Sequence, residues 1–181
     1  MPLDRTDFEI IDALQNDARL SNKELAARIH LAPSSCLVRV RALANAGVLT
    51  GYHAEVSPAA MGIGLQAFVA VRLTRTSRDA FRALQAHALA LPEVLAVFHV
   101  SGVYDLQIHV AVRDSQHLRD LVVDQLATRK EVDRCETSVI FAHERKPRLP
   151  QYALVPDAQP RRGKRSGSRA RARLEPRPRH R

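Results

Sequence analysis

The sequence predicts an α+β chain of two small domains, an N-terminal winged helix-turn-helix and a C-terminal ferredoxin-like βαββαβ unit with an antiparallel sheet. Three observations carry this expectation. Capped amphipathic helices, two of them separated by a proline break, fill residues 4–46. Strand-like and helical segments alternate as βαββαβ over residues 65–142. Between them lies VSPAAMGIG, whose proline and glycines mark a linker. At 181 residues and 45% hydrophobic content the chain has enough apolar material for two small cores. The expected boundaries are 1–53 for the helix-turn-helix, 54–64 for the linker, 65–146 for the ferredoxin-like domain and 147–181 for a basic tail.

The first helix, Asp4 to Asn16, carries Phe8, Ile11 and Leu14 on one stripe. Its acids Asp4, Asp7, Glu9 and Asp12 suit the positive end of the helix dipole but repel phosphate, so this helix is expected to face away from nucleic acid. Ser21 and Glu24 have the spacing of a capping box, opening a second helix with Leu25, Ala26 and Ile29 at helical intervals. The pattern breaks at His30-Leu31-Ala32-Pro33, because proline disfavours helical geometry in the residue before it. A third helix follows. Ser34 or Ser35 can cap it, and Leu37, Val40, Leu43 and Ala44 are expected on its buried face. Gly47 can take the left-handed conformation that ends it, and Val48 to His53 reads as a short hairpin or wing.

Three helices in this order have the outline of a DNA-reading helix-turn-helix, whose later helix enters the major groove. The outward side of that helix is expected to present Ser34, Ser35, Val38, Arg39 and Arg41. Small hydroxyls near its start suit base edges, and the guanidiniums suit phosphate or guanine. The implied partner is double-stranded DNA.

The formal charge of +9 is unevenly spread. Residues 1–142 hold 15 Lys+Arg against 16 Asp+Glu, whereas residues 143–181 hold 13 against 3. The tail PRRGKRSGSRARARLEPRPRHR has almost nothing to bury and is expected to be disordered. Either it adds salt-sensitive, sequence-independent attraction to phosphate, or it is a solvated extension in a chain where Arg outnumbers Lys 24 to 4. No run approaches the roughly 20 apolar residues of a membrane span, and MPLDRTDFEI lacks a signal-peptide core, so a cytoplasmic protein without membrane contact is expected. Cys36 and Cys135, 99 positions apart, suggest no disulfide framework and read as buried thiols.

In the second domain, Leu65 to Leu73, Val94 to Ser101, Leu106 to Val112 and Val132 to Ala142 read as strands, and Arg78 to Leu91 and Ser115 to Ala127 as helices. This is the split βαβ arrangement, with two helices on one face of a four-stranded sheet. Leu106, Ile108, Val110 and Val112 alternate with Gln107, His109 and Ala111. The face away from the helices, with Leu95, Val97 and His99 expected to join it, is too apolar for water and is expected to meet a second copy in a homodimer. A dimer would also let two reader helices address two half-sites about one helical turn apart.

These segments resemble the leucine-responsive and asparagine-synthesis regulators, the Lrp/AsnC or feast/famine family. The resemblance covers about Leu3 to Lys146 and rests on LDRTDFEIIDALQNDARLSNKELAARIHLAPSSCLVRVRALANAGVLTGYHAEVSP, on HVSGVYDLQIHV and on the closing ETSVI. It implies a sequence-specific transcriptional regulator that dimerises, assembles further to octamers, and responds to an amino acid or related small molecule at subunit interfaces. It also implies a reader helix over Pro33 to Ala46. Many relatives carry an acidic residue where this chain has Val38, so their base preference does not transfer. Relatives show Gly-Asp-Tyr/Phe-Asp where this chain has Gly102-Val103-Tyr104-Asp105. By that resemblance Gly102, Tyr104, Asp105 and Thr137 are candidate effector contacts. Asp105 either receives an α-ammonium group or bonds to turn amides, and Gly102 is also what a tight hairpin requires.

Two other function classes remain to be weighed. An enzyme is not expected, since no Gly-rich phosphate loop appears and the eight histidines show no HxxxH or HxH spacing; no cofactor or metal is implied. His99 and His109, expected on one sheet face, either form a metal-binding or pH-sensitive contact or are simply packed. The alternative within DNA binding is a nucleoid-associated architectural role with little sequence preference, for which the basic tail argues.

Overall fold

The computed structural model describes residues 2–146 and 148–153. Apart from 148–153, the basic tail expected over 147–181 lies outside the described residues. The chain divides into two compact units, one holding the helices up to Leu49 and the other holding Thr50–Leu149.

The first unit contains α1 (Arg5–Asn16), α2 (Asn22–Arg28) and α3 (Pro33–Asn45). α1 opens on a reciprocal cap, in which the Asp7 amide donates to Asp4 Oδ1 at 2.9 Å and the Asp4 amide to Asp7 Oδ2 at 3.0 Å. α2 opens on the expected capping box, with the Ser21 amide donating to Glu24 Oε2 at 2.8 Å. Between α2 and α3 the chain turns through His30, which holds a φ of 55°. There the Leu31 amide reaches back to the Ala26 carbonyl at 2.9 Å, closing α2 with a left-handed residue usually supplied by glycine.

Three expectations for this unit are corrected. α3 starts at Pro33 with Ala32 as its N-cap and no side-chain cap, so Ser34 and Ser35 lie inside the first turn and do not cap it. Proline at the first helical position already has the required φ and no amide to satisfy. The buried face is set by Cys36 and Leu43, with Val40 half-buried, whereas Leu37 and Ala44 are exposed. Cysteine packs as a small hydrophobe, so the apolar stripe is rotated by one residue from the one read through Leu37. Finally, Val48 to His53 forms no strand. The Gly47 amide donates to Ala44 and the amides of Val48 and Leu49 both donate to the Leu43 carbonyl, so this stretch closes α3 instead of pairing as a hairpin.

The second unit contains β1 (Leu65–Leu73), α4 (Arg78–Ala90), β2 (Val94–His99), β3 (Leu106–Val112), α5 (Ser115–Asp120, continuing as a π-helix over Leu121–Ala127) and β4 (Val132–Ile140). The sheet order is β2-β3-β1-β4, all antiparallel, as a split βαβ unit requires. Ala67, Val69, Val71 and Leu73 of β1 join Leu106, Ile108, Val110 and Val112 of β3 under Leu84 and Ala88 of α4 and Leu118, Leu121 and Leu126 of the second helix. The five-residue step from Leu121 to Leu126 is what the wider π turn needs to keep both on the core.

Register corrects the expected opposite face. Val97 pairs with Ile108 and His99 with Leu106, so both lie on the helix-covered side, while Ala96 pairs with His109 and Phe98 with Gln107. A register irregularity between Val94 and Ala96 shifts the alternation, and a one-residue slip exchanges the two faces. His99 and His109 therefore lie on opposite faces. The open face instead groups Phe68, Phe98 and His109, with ring centroids of Phe68 at 6.5 Å from Phe98 and 5.0 Å from His109. His109 Nε2 lies 2.9 Å from Gln66 Oε1, and burial, followed by repulsion from His143, holds its pKa below the ordinary 6.5.

Gly64, ahead of β1, donates its amide to the Val112 carbonyl at 3.1 Å, and a Cβ there would sit 2.4 Å from the Arg113 carbonyl oxygen. Gly64→Ala is expected to force β1 and β3 apart at that end and to destabilise the second unit by about 2 kcal/mol, read as a lower midpoint in urea unfolding.

Candidate functional site

α3 is held from one side and open on the other. Nη1 of Arg39 donates to Asp4 Oδ2 and to Asp7 Oδ1, each at 2.8 Å, tying the middle of α3 to the first turn of α1. Asp7 is buried, so the guanidinium supplies the charge that makes its burial tolerable. The hydrogen bonds to Asp7 and then Asp4 push the pKa of Arg39 up. Asp4 lies below its ordinary 3.8, first because the Asp7 amide donates to it and then, against the cost of partial burial, because Arg39 sits beside it. Arg39 was expected among the outward residues; it is instead an inward tie, because the acids of α1 lie within its reach.

The remaining expected DNA contacts share the outward side. Ser34, Ser35 and Arg41 are exposed, and Val38 is 67% exposed. Arg41 has no partner among the described residues, which leaves its whole donor fork available.

In the second unit the four expected effector residues do not converge. Gly102, at φ 135° in the β2–β3 connection, has open space where a Cβ would stand, so backbone geometry and not crowding calls for glycine. The Tyr104 hydroxyl donates to Glu136 of β4, and that bond raises the tyrosine pKa. Thr137 pairs with Val69 and Glu136 with Ala70, so Thr137 and the carboxylate that holds Tyr104 belong to opposite sides of the sheet. Asp105 stitches β3 to β1: its amide donates to the Val71 carbonyl at 2.9 Å, Oδ2 accepts from the Leu73 amide at 2.8 Å, and Oδ1 accepts from Thr76 Oγ1 at 3.1 Å.

Asp105 also lines a cavity of about 380 Å³ together with Leu73, Thr76, Phe81, His99, Arg78 and Arg82. The rings of Phe81 and His99 lie 4.2 Å apart at its side. Sequence reading passed over the two arginines. Their i, i+4 spacing at the start of a helix was the available signal, but such a pair on a helix is ordinarily a solvated face. Among the described residues no group of three or more metal-ligating side chains occurs, and no helix is long and apolar enough to cross a membrane.

A helix-turn-helix with an outward face of hydroxyls and arginine, joined to a βαββαβ unit that carries a small-molecule cavity, defines a DNA-binding regulator with a sensing domain. Comparison with known proteins agrees for both halves. Residues 3–50 match the winged helix-turn-helix DNA-binding family, and residues 66–149 match the Lrp/AsnC ligand-binding domain. The chain is 41% identical over 143 residues to the HTH-type transcriptional regulator AldR of Mycolicibacterium smegmatis, covering 79% of this chain and 84% of that one. It is 35% identical over 139 residues to the leucine-responsive regulatory protein of Escherichia coli, covering 77% and 85%. Among solved structures, a transcriptional regulator of Neisseria meningitidis in complex with L-Met superimposes with a TM-score of 0.76 at 34% identity, over 82% of this chain and 96% of that one. The chain belongs to the Lrp/AsnC family of transcriptional regulators, as its motifs led one to expect.

Arg39 and Arg41 should separate cleanly by experiment. Arg39→Ala is expected to cost the first unit about 1–2 kcal/mol, allowing for the half-open site, whereas Arg41→Ala should leave thermal stability unchanged. A carboxylate depressed in the folded state adds stability above its unfolded value and loses it as pH falls through the folded one. Acid unfolding of the wild type below pH 3.8 should therefore be steeper than that of Arg39→Ala, in which Asp4 has lost a partner.

Proposed function

We propose that this chain regulates transcription as a homodimer in the cytoplasm, reading a palindromic operator with Ser34, Ser35, Val38 and Arg41 and responding to an amino acid or related small molecule. It acts by binding and not by catalysis. The observation that carries the reading is the division of α3: Cys36, Leu43 and the Arg39 tie face inward, while the serines, Val38 and Arg41 face outward together. That is the division a major-groove helix needs.

The open sheet face supports the dimer. Phe98 is 48% exposed beside Phe68, with Ala70 and Ala96 on the same face and Gln66, Gln107, His109, Ser138 and Glu136 around them. A second copy laid on this face would bury an apolar patch that water solvates poorly. Further assembly to octamers is what the family resemblance implies. The L-Met complex of the Neisseria relative supports an amino-acid effector, with Gly102, Tyr104, Asp105 and Thr137 as the positions expected from the resemblance. The absence of an acid at Val38 argues that the operator differs from those of relatives that carry one.

The architectural reading retains one observation, the excess of 13 basic over 3 acidic residues in 143–181. The two readings part on salt and sequence, since a purely electrostatic binder loses affinity steeply with salt and has no preferred site. Selection from a random DNA pool near physiological salt, with and without mixed amino acids, is expected to enrich a palindrome whose recovery changes with the mixture. Absence of enrichment would sink the sequence-specific reading. On the selected operator Arg41→Ala is expected to lose about 1–3 kcal/mol of affinity with the dimer intact, as judged by sedimentation.

A further inference from the structure

We infer that the cavity beside Asp105 binds a small organic carboxylate through Arg78 and Arg82, and that the ligand needs no ammonium group. This rests on the reading of the second unit as a ligand-responsive domain and names the chemistry that it recognises.

The cavity volume of about 380 Å³ is metabolite-sized. Arg78 and Arg82 stand one helical turn apart on α4 and both line it, and neither has an acidic partner among the described residues. Two forked guanidiniums without counter-charges are an arrangement suited to a carboxylate, which either can hold through two parallel N–H···O bonds. Leu73 and Phe81 provide apolar wall for a short side chain, and the His99 ring lies against Phe81.

Asp105 decides the rest. It is the one acid lining the cavity, and both of its oxygens already accept hydrogen bonds from the chain, from the Leu73 amide and from the Thr76 hydroxyl. Those bonds hold the end of β1 against the start of β3, so Asp105 belongs to the wall that shapes the cavity. With two guanidiniums against one carboxylate, the charged lining of the cavity is net positive, which an anion matches better than a zwitterion does. A 2-oxo acid and the amino acid of the same skeleton share the carboxylate and the apolar side chain, so both fit, and the oxo acid fits at least as well.

Calorimetric titration of the full chain with 2-oxoisovalerate, L-valine and L-valinamide, repeated with the pyruvate/alanine and 2-oxoglutarate/glutamate sets and their α-amides, tests this directly. The oxo acids are expected to bind as tightly as the amino acids or more tightly, and the amides not to bind. Arg78→Gln and Arg82→Gln are each expected to weaken binding about tenfold, and Arg82→Lys less, with melting temperature unchanged because both side chains are exposed. Amides binding like their parent acids, a double Arg78→Gln/Arg82→Gln variant binding like the wild type, or no carboxylate binding at all would each overturn the inference. The broader regulatory reading is tested apart from it. If the double variant still changes its operator recovery with mixed amino acids, the effector is read elsewhere and only this inference fails.

Discussion

The helix-turn-helix depends on one guanidinium. Arg39 reaches from the middle of α3 to both carboxylates of the α1 cap, and those carboxylates are bonded to each other's backbone amides. A cap, an ion pair and a helix crossing are thereby one network, in which Asp7 is buried at little cost because two sets of donors reach it. The apolar core of Ile10, Leu14, Leu25, Cys36 and Leu43 brings α1, α2 and α3 together. The Arg39 network fixes their rotation. Once Arg39 and Cys36 are inside, the helical repeat leaves Ser34, Ser35, Val38 and Arg41 no direction but outward. The outward face is thus held in place by residues on the inward side of the helix.

The second unit is organised by an analogous economy at Asp105. The carboxylate that family resemblance offers as a ligand contact is engaged in closing the β1–β3 end of the sheet. Its geometry therefore shapes the cavity, whose other charged lining groups are the arginines of α4. The other side of the sheet carries the aromatic patch of Phe68 and Phe98. The cavity and the aromatic patch thus lie on opposite faces of one four-stranded sheet, a division the split βαβ topology permits because both helices lie on one side.

Much of this was legible in the sequence, and the failures have common causes. Element order and most boundaries follow from period and caps: Ser21 with Glu24 opens α2, and β1 and β3 run between the expected residues. What failed was rotation and register. Leu37 looked more apolar than Cys36, and a charged Arg39 looked like surface, because hydropathy does not know that Asp4 and Asp7 wait across the core. Val97 and His99 went to the wrong face because strict alternation was carried through the irregularity at Val94–Ala96, which no local residue advertises. The cavity arginines were invisible for a different reason. A guanidinium on a helix becomes a binding group only when the sheet brings a concave wall to it, and that is a tertiary fact.

The Arg39 network sets the rotation of α3 against α1. A double-mutant cycle between Arg39→Ala and Asp7→Ala, followed by chemical unfolding of the first unit, tests it most directly. A favourable coupling on the order of 1–3 kcal/mol is expected, with the two single variants each destabilised and the double variant less so than their sum. Strict additivity would show that the two side chains act independently and would contradict it.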